Sequence, residues 1–263
     1  MTSAFVFRTA WVTDVGRVRE LNEDSVLARP EIGLWAVADG MGGYGGGDVA
    51  SQAVVAALKT LAPNSSATHL LADFEQEISR ANSELRALAR ARGAAVMGTT
   101  LVALLVHGPY FACVWCGDSR VYLSRGGVLT QVSRDHSEVQ ELIDSGLISK
   151  VEASNWPRRN VVTRALGVRD QADLEIVDGP AYVGDRFLLC SDGLVVHVAD
   201  EEIAALLAAR DPQQACDDLL SLTFERGASD NVSIIVVDCG EEERAPSSDA
   251  APGWETSSHK DRS

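Results

Sequence analysis

Gly98-Thr99-Thr100-Leu101-Val102-Ala103-Leu104-Leu105-Val106-His107-Gly108-Pro109-Tyr110-Phe111-Ala112-Cys113-Val114-Trp115-Cys116 holds two apolar runs around a His-Gly-Pro turn. Runs of this length, bounded by turn residues, predict two strands of a hairpin. The pattern extends C-terminally. Gly117-Asp118-Ser119-Arg120 interrupts it, residues 121–124 resume strand character, and Gly126-Gly127 turns the chain into a strand over 128–132. A meander without crossover helices points to antiparallel sheets, not to a βαβ alternation.

N-terminal to the meander, residues 5–13 read as a strand closed by Asp14-Val15-Gly16. Leu34-Trp35-Ala36-Val37-Ala38 reads as a buried strand that ends at Asp39, in the glycine-rich turn Asp39-Gly40-Met41-Gly42-Gly43, with Gly45, Gly46 and Gly47 beyond. Two helices are expected next. In the second, Leu71, Phe74, Ile78, Ala81, Leu85 and Leu88 form an apolar stripe of helical period, and Arg86, Arg90 and Arg92 suit its C-terminal end. After the meander, Ser137-Glu138-Val139-Gln140 opens a short helix that stops at Gly146. Residues 148–163 read as irregular and exposed. Strands over 174–177 and 186–190 follow, the second leading into Ser191-Asp192-Gly193-Leu194. Helices are expected from Asp200 and from Asp211-Pro212-Gln213-Gln214, then a last strand over 232–237. Strands and helices come in blocks, so the expected class is α+β with antiparallel sheets.

The 263 residues are 46% hydrophobic and 23% charged, which fits a globular chain with a sizeable core. Net charge is −15. The tail from Glu241 to Ser263 accounts for −3 of it, which leaves −12 on the body. That balance argues against nucleic acid or an anionic membrane as the main partner, and it suits a site that gathers carboxylates around cations. No segment reads as a signal peptide or a spanning helix, so a cytoplasmic location is the expectation. Cys113 and Cys116 have the spacing of a metal motif, but on a strand residues three apart face opposite ways. Buried thiols are therefore expected there rather than a zinc site.

Asp24, Asp39, Asp118, Asp192 and Asp230 each flank a strand, and each has Gly, Ser or Asn beside it. One such aspartate is ordinarily a turn former or a helix cap. Five at strand ends could converge at one rim of a sheet, and converging carboxylates need cations. Hard oxygen donors suit Mg²⁺ or Mn²⁺ rather than zinc.

Read together, the motifs resemble the metal-dependent protein phosphatases, the PPM or type 2C family, in its bacterial Ser/Thr form. The matching pieces are Thr13-Asp14-Val15-Gly16 with Arg19, Asn22-Glu23-Asp24, Asp39-Gly40-Met41-Gly42-Gly43, Gly98-Thr99-Thr100, Gly117-Asp118-Ser119-Arg120, Asp135-His136-Ser137, Thr163-Arg164-Ala165-Leu166-Gly167, Ser191-Asp192-Gly193 and Ser229-Asp230-Asn231. They run from residue 5 to 238 in the family's order. The resemblance implies two packed antiparallel sheets flanked by helices, as one catalytic domain over 1–240 with a flap at about 137–165. Residues 241–263 are expected to be a disordered acidic tail.

The resemblance also implies roles. Asp39 would bridge two Mn²⁺ or Mg²⁺ ions, with the Gly40 carbonyl on one and Asp192 and Asp230 on the other. Asp118 would join Asp192 at a third, weaker ion. Asp24 would act through bound water, with Thr99 and Asn231 as further supports. Arg19 would grip the substrate phosphate. A hydroxide bridging the ions would attack phosphorus directly, with no covalent phosphoenzyme.

Met41 stands where some members carry a proton-donating histidine, which leaves the general acid unassigned. His136 is the nearest candidate by motif, and a structural histidine is its other reading. Tyr44, and Trp156-Pro157 in the flap, depart from the family's usual residues and bear on substrate preference. The implied partners are phosphorylated proteins and a bacterial Ser/Thr kinase, with the chain a monomer. Residues 137–142 and the compact length are similar to phosphatases that accompany type VI secretion kinases. Two alternatives remain at this stage: a non-catalytic phosphoprotein-binding regulator on the same fold, and a phosphatase of anti-sigma-factor antagonists. Relatives of the second kind usually carry sensory domains, for which no room is expected here.

Overall fold

The computed structural model describes residues 5–42, 46–64, 66–93, 96–153 and 156–241. Its strands form two antiparallel sheets. One runs in the order β1 (Phe5–Asp14), β11 (Val232–Glu241), β10 (Arg186–Cys190), β7 (Arg120–Arg125) and β8 (Val128–Gln131). The other runs β2 (Asp24–Arg29), β3 (Leu34–Gly42), β5 (Leu101–His107), β6 (Tyr110–Cys116) and β9 (Glu175–Pro180), with β4 (Met97–Thr99) paired to the end of β3.

Side-chain alternation sorts the apolar residues into three cores. Along β3, Trp35 and Val37 face the other sheet and pack with Phe187, Leu189, Ile235 and Val237. Leu34, Ala36 and Ala38 face the opposite way, into a core shared with α1 (Gly47–Lys59) and α2 (Ala67–Arg92). A third core joins the outer face of the first sheet to α5 (Asp192–Val195), α6 (Asp200–Ala209) and α7 (Pro212–Glu225). The layers are therefore helix, sheet, sheet, helix, as the resemblance implies. Both faces of the central strands are covered, which is why 101–106 is an unbroken apolar run. Each Leu and Val of that run contributes roughly 1.5–3 kcal/mol on full burial.

The helix signals act as expected. The Ser137 hydroxyl accepts from the Gln140 N–H (3.3 Å) at the start of α3 (Glu138–Asp144), and the Asp211 carboxylate accepts from the Gln214 N–H (2.9 Å) at the start of α7. Cys113 joins the core between the sheets and Cys116 the core under the helices, so the pair faces opposite ways and both are free thiols. Burial pushes the Cys116, Cys190, Cys216 and Cys239 thiols up to about 12, the range of inert structural cysteines.

Four boundaries differ from the sequence reading. β3 does not stop at Ala38; it continues through Asp39 to Gly42. The expected strand over 98–106 breaks at Thr100, whose N–H is drawn to the Asp39 carbonyl (2.8 Å). Residues 148–163 contain the single helical turn α4 (Lys150–Ala153). The last strand extends to Glu241, paired with Phe5, so the domain reaches one residue into the expected tail. The readings made on Gly43, Tyr44 and Gly45, and on the tail from 242 to 263, lie outside the described residues. Among the described residues, no helix is long and apolar enough to cross a membrane.

Candidate metal centre

The five aspartates meet where strand ends from both sheets converge. Asp24 and Asp39 are direct partners in the β2–β3 ladder, so their carboxylates leave the same face, towards the other sheet. Asp118 lies in the turn between β6 and β7. Asp192 opens α5, two residues past β10, and Asp230 precedes β11 by two. Cys190 pairs with both Arg120 and Ile234, which brings the ends of β7, β10 and β11 to one rim.

Like charges directly opposite on a ladder are unfavourable, and burial compounds the cost. Asp24 is 7% exposed. Burial first, then the charges of Asp192 and Asp230, push its carboxyl up to about 7 against the lowering hydrogen bonds of Ser233 and Ser191. Burial, then Asp24, Asp192, Asp118 and Asp230, hold Asp39 well above the carboxylate range. Asp118 is raised well above it by burial, Asp192 and Asp135. Asp192 is pushed up to about 6 by burial and Asp230, against Arg19 and Arg120. Asp39 and Asp192 keep part of their surface exposed although protein atoms surround them closely.

The fit to a divalent cation rests on these groups. The donors are all oxygens, the carboxylates raise one another, and the buried Asp24 Oδ1 has no hydrogen-bond partner. Among the described residues, no three His, Cys, Asp or Glu side chains form a ready-made cage. Asp230 turns to Arg19 (2.8 Å) and Asp24 Oδ2 accepts from Ser191 (2.8 Å), as mutual repulsion favours. The donor set suits Mg²⁺ or Mn²⁺.

The surroundings hold the backbone of the site rather than its carboxylates. The Asp39 N–H donates to Thr100 Oγ1 (3.1 Å), and its carbonyl accepts from Thr99 Oγ1 (2.9 Å). Asn231 Oδ1 accepts from the Glu23 N–H (2.9 Å), while its Nδ2 donates to the carbonyls of Val15 (2.9 Å) and Leu21 (3.0 Å). Asn231 therefore ties down both ends of the loop that carries Arg19. Gly40 is needed for close packing, not for a turn: a Cβ there would lie 2.1 Å from the Gly47 carbonyl oxygen. Sequence reasoning missed Thr100, Ser191 and Asp135. All three stand beside named residues in quoted motifs, but their partners, Asp39, Asp24 and Arg120, come from other segments of the chain.

His136 is structural. It stacks on Trp115, its Nδ1 accepts from the Gly117 N–H (3.1 Å), and its Nε2 faces Glu175 (3.2 Å). It therefore fixes the turn before Asp118 and is not placed as the missing proton donor. Arg120 grips Asp135 with two of its nitrogens (2.7–3.1 Å) on the wall of a cleft of about 520 Å³, which runs from Asp118 and Asp192 to α3 and Arg159.

The raised carboxyls fix the sign of a pH effect. Their unfolded values are near 4, so ionisation disfavours the folded state increasingly as pH rises from about 4 through about 7. His136, lowered chiefly by burial and then by Arg164, acts in the opposite sense below its ordinary value, and the lowered carboxyls of Glu31, Asp144, Glu152 and Glu202 act in the opposite sense only near and below their unfolded values of about 4. In excess chelator, thermal unfolding is expected at a lower temperature at pH 7.5 than at pH 5, and Mn²⁺ is expected to restore more at pH 7.5. A chelated protein equally stable at both values would remove this electrostatic account.

Two sheets between helical layers, with acidic residues at their common rim, define the metal-dependent phosphatase class. The chain belongs to the protein phosphatase 2C family, whose model matches residues 17–232. It is 41% identical over 234 residues to the serine/threonine protein phosphatase PstP of Mycobacterium tuberculosis, covering 89% of this chain but only 45% of that protein. It is thus similar to less than half the length of PstP. The serine/threonine phosphatase stp of Listeria monocytogenes is 35% identical, over 86% of this chain and 93% of its own length. Among solved structures, PppA of Pseudomonas aeruginosa, described as a key regulatory component of T6SS, superposes with a TM-score of 0.84 at 42% identity, over 90% of this chain and 99% of that one. The PstP catalytic domain, solved with two manganese ions, gives 0.82 at 39% identity, over 90% and 100%.

Proposed function

We propose that the chain is a metal-dependent serine/threonine protein phosphatase that acts on phosphorylated bacterial proteins and opposes a Ser/Thr kinase. The observation that carries this is the facing pair Asp24 and Asp39, with Asp118, Asp192 and Asp230 around them and Arg19 at the rim. Asp39 and the Gly40 carbonyl would hold one ion, Asp39, Asp192 and Asp230 a second, and Asp118 with Asp192 a weaker third. Bound Mn²⁺ or Mg²⁺ would supply a water of lowered pKa and neutralise charge on the phosphoryl oxygens. Thr99 and Thr100 keep the Asp39 backbone in place as the carboxylate is engaged. Asn231 anchors the Arg19 loop, so the planar guanidinium can meet a phosphate with two N–H donors. Arg19 is half-exposed, and an ion pair of that kind contributes at most about 1 kcal/mol. Exchanging Asp230 for a phosphate is therefore inexpensive.

Mn²⁺-dependent hydrolysis of p-nitrophenyl phosphate and of phosphothreonine peptides is expected, with activity abolished by excess chelator and recovered on adding Mn²⁺. Activity undiminished in chelator would sink the metal-dependent reading. Measured Mn²⁺ binding without turnover would favour the phosphoprotein-binding regulator instead. The likeness to PppA supports a role beside a type VI secretion kinase. A phosphoproteome compared before and after deletion of the gene tests that role, and unchanged phosphosites on secretion components would reject it.

A further inference from the structure

Asp192 and Asp230 lie just beyond the ends of the paired strands β10 and β11, where the ladder no longer fixes the backbone, yet the proposed function needs them side by side. We propose that His197 is a positioning residue that holds the Asp230 turn against α5; the inference rests on the assignment of Asp192 and Asp230 as metal ligands. His197 Nε2 accepts from the Ser229 N–H (3.1 Å) and lies 3.0 Å from the Ser229 hydroxyl. Because the backbone N–H must donate, Nε2 presents its single lone pair, which the hydroxyl can only share as a second donor. Ser229 immediately precedes Asp230.

His197 is itself fixed on the other side. Its N–H donates to the Leu194 carbonyl (3.0 Å), at the end of the helical turn that Asp192 opens. Its carbonyl accepts from Arg226 Nη1 (2.7 Å), and Arg226 is paired with Glu202 (2.6 Å). One imidazole thus joins the turn bearing Asp192 to the residue before Asp230.

The turn it holds does not rest in a relaxed conformation. The buried Ala228 sits at φ +40°, in the left-handed region that side chains disfavour. On the far side, the Arg17 N–H donates to the Ala228 carbonyl (2.8 Å), and a Cβ at Gly16 would lie 2.3 Å from the Asp230 carbonyl oxygen. The turn is therefore clamped between the Arg19 loop and His197. Loss of the imidazole frees one side, and Asp230 is the carboxylate that moves.

The test titrates Mn²⁺ into the metal-free full chain by calorimetry, with the thermal midpoint of each metal-free variant measured separately. Outer-shell partners of ligands typically account for 10–100-fold in metal affinity, and His197→Ala is expected to weaken Mn²⁺ binding by about that factor. His197→Gln, which presents an oxygen acceptor near the same place, is expected to recover most of the loss. A role in folding alone would lower the thermal midpoint of His197→Ala and leave Mn²⁺ affinity unchanged, and that result overturns the proposal. So does a Gln variant as weak as Ala. If His197→Ala does not fold, His197→Phe, which keeps the bulk of the ring but offers no acceptor to the Ser229 N–H, carries the test: several-fold weaker binding supports the proposal and unchanged binding overturns it. Asp230→Asn in parallel separates the two levels. Should it bind Mn²⁺ like the parent, the ligand assignment itself falls.

Discussion

Asp39→Asn is expected to lower phosphatase turnover by about 10³-fold or more while making the metal-free protein more stable. The first effect follows from the proposed bridging role. Losing one preorganised electrostatic group costs about 10²–10³ in turnover, and a shared ligand serves two ions at once. The second follows from the repulsion among Asp39, Asp24, Asp192, Asp118 and Asp230. The amide is isosteric and uncharged, and Thr99 and Thr100 hold the main chain of this residue: its carbonyl accepts from Thr99 Oγ1 and the Thr100 N–H, and its N–H donates to Thr100 Oγ1. The fold therefore keeps its anchors and loses a buried charge. For a domain of this size, each kcal/mol of relief raises the midpoint by about 2–4 °C. Steady-state kinetics and thermal unfolding in chelator give the pair of readings. A variant less stable than the parent without metal would show that the carboxylate is structural, and one with parental turnover would remove Asp39 from the mechanism.

Arg19→Ala is expected to reduce kcat/KM for phosphopeptides by about 100-fold, since hydrogen bonds to charged groups contribute about 1.5–3 kcal/mol and each 1.4 kcal/mol is roughly tenfold in rate. Its second consequence has the opposite sign. Arg19 holds Asp230 at 2.8 Å, so removing the guanidinium frees that carboxylate, and Mn²⁺ affinity is expected to stay level or rise. Arg19→Lys keeps the charge without the planar fork and should fall between parent and Ala. Kinetics on a phosphothreonine peptide, with calorimetric Mn²⁺ titration of the same samples, decide the matter. A parallel fall in both would mean that Arg19 braces the metal ligand instead of meeting substrate.

Legibility in the sequence tracked how local the governing physics is. Runs such as 101–106, the Ser137 and Asp211 caps and the α2 stripe declare their conformation within a few residues, and each formed as read. The opposed faces of Cys113 and Cys116 followed from strand geometry alone. The boundaries that moved are those set from outside the segment. β3 passes through Asp39 because β2 and β4 are there to pair with it, and the strand over 98–106 breaks because Thr100 turns to the Asp39 carbonyl.

The same division runs through the candidate site. The five aspartates, the oxygen-only donor chemistry and the order of the motifs can all be read along the chain, because residue type and its place at a strand end are local properties. That Asp24 faces Asp39 in register, that Gly40 must lack a side chain to lie against Gly47, and that His197 braces Ser229 cannot be read so. Nor can the pairing of Arg19 with Asp230 across 211 positions. Register, close approach and ion pairing arise between segments far apart in sequence, and no local propensity encodes which segment will be the neighbour. Folding brings these groups together, and their electrostatics follow from that proximity.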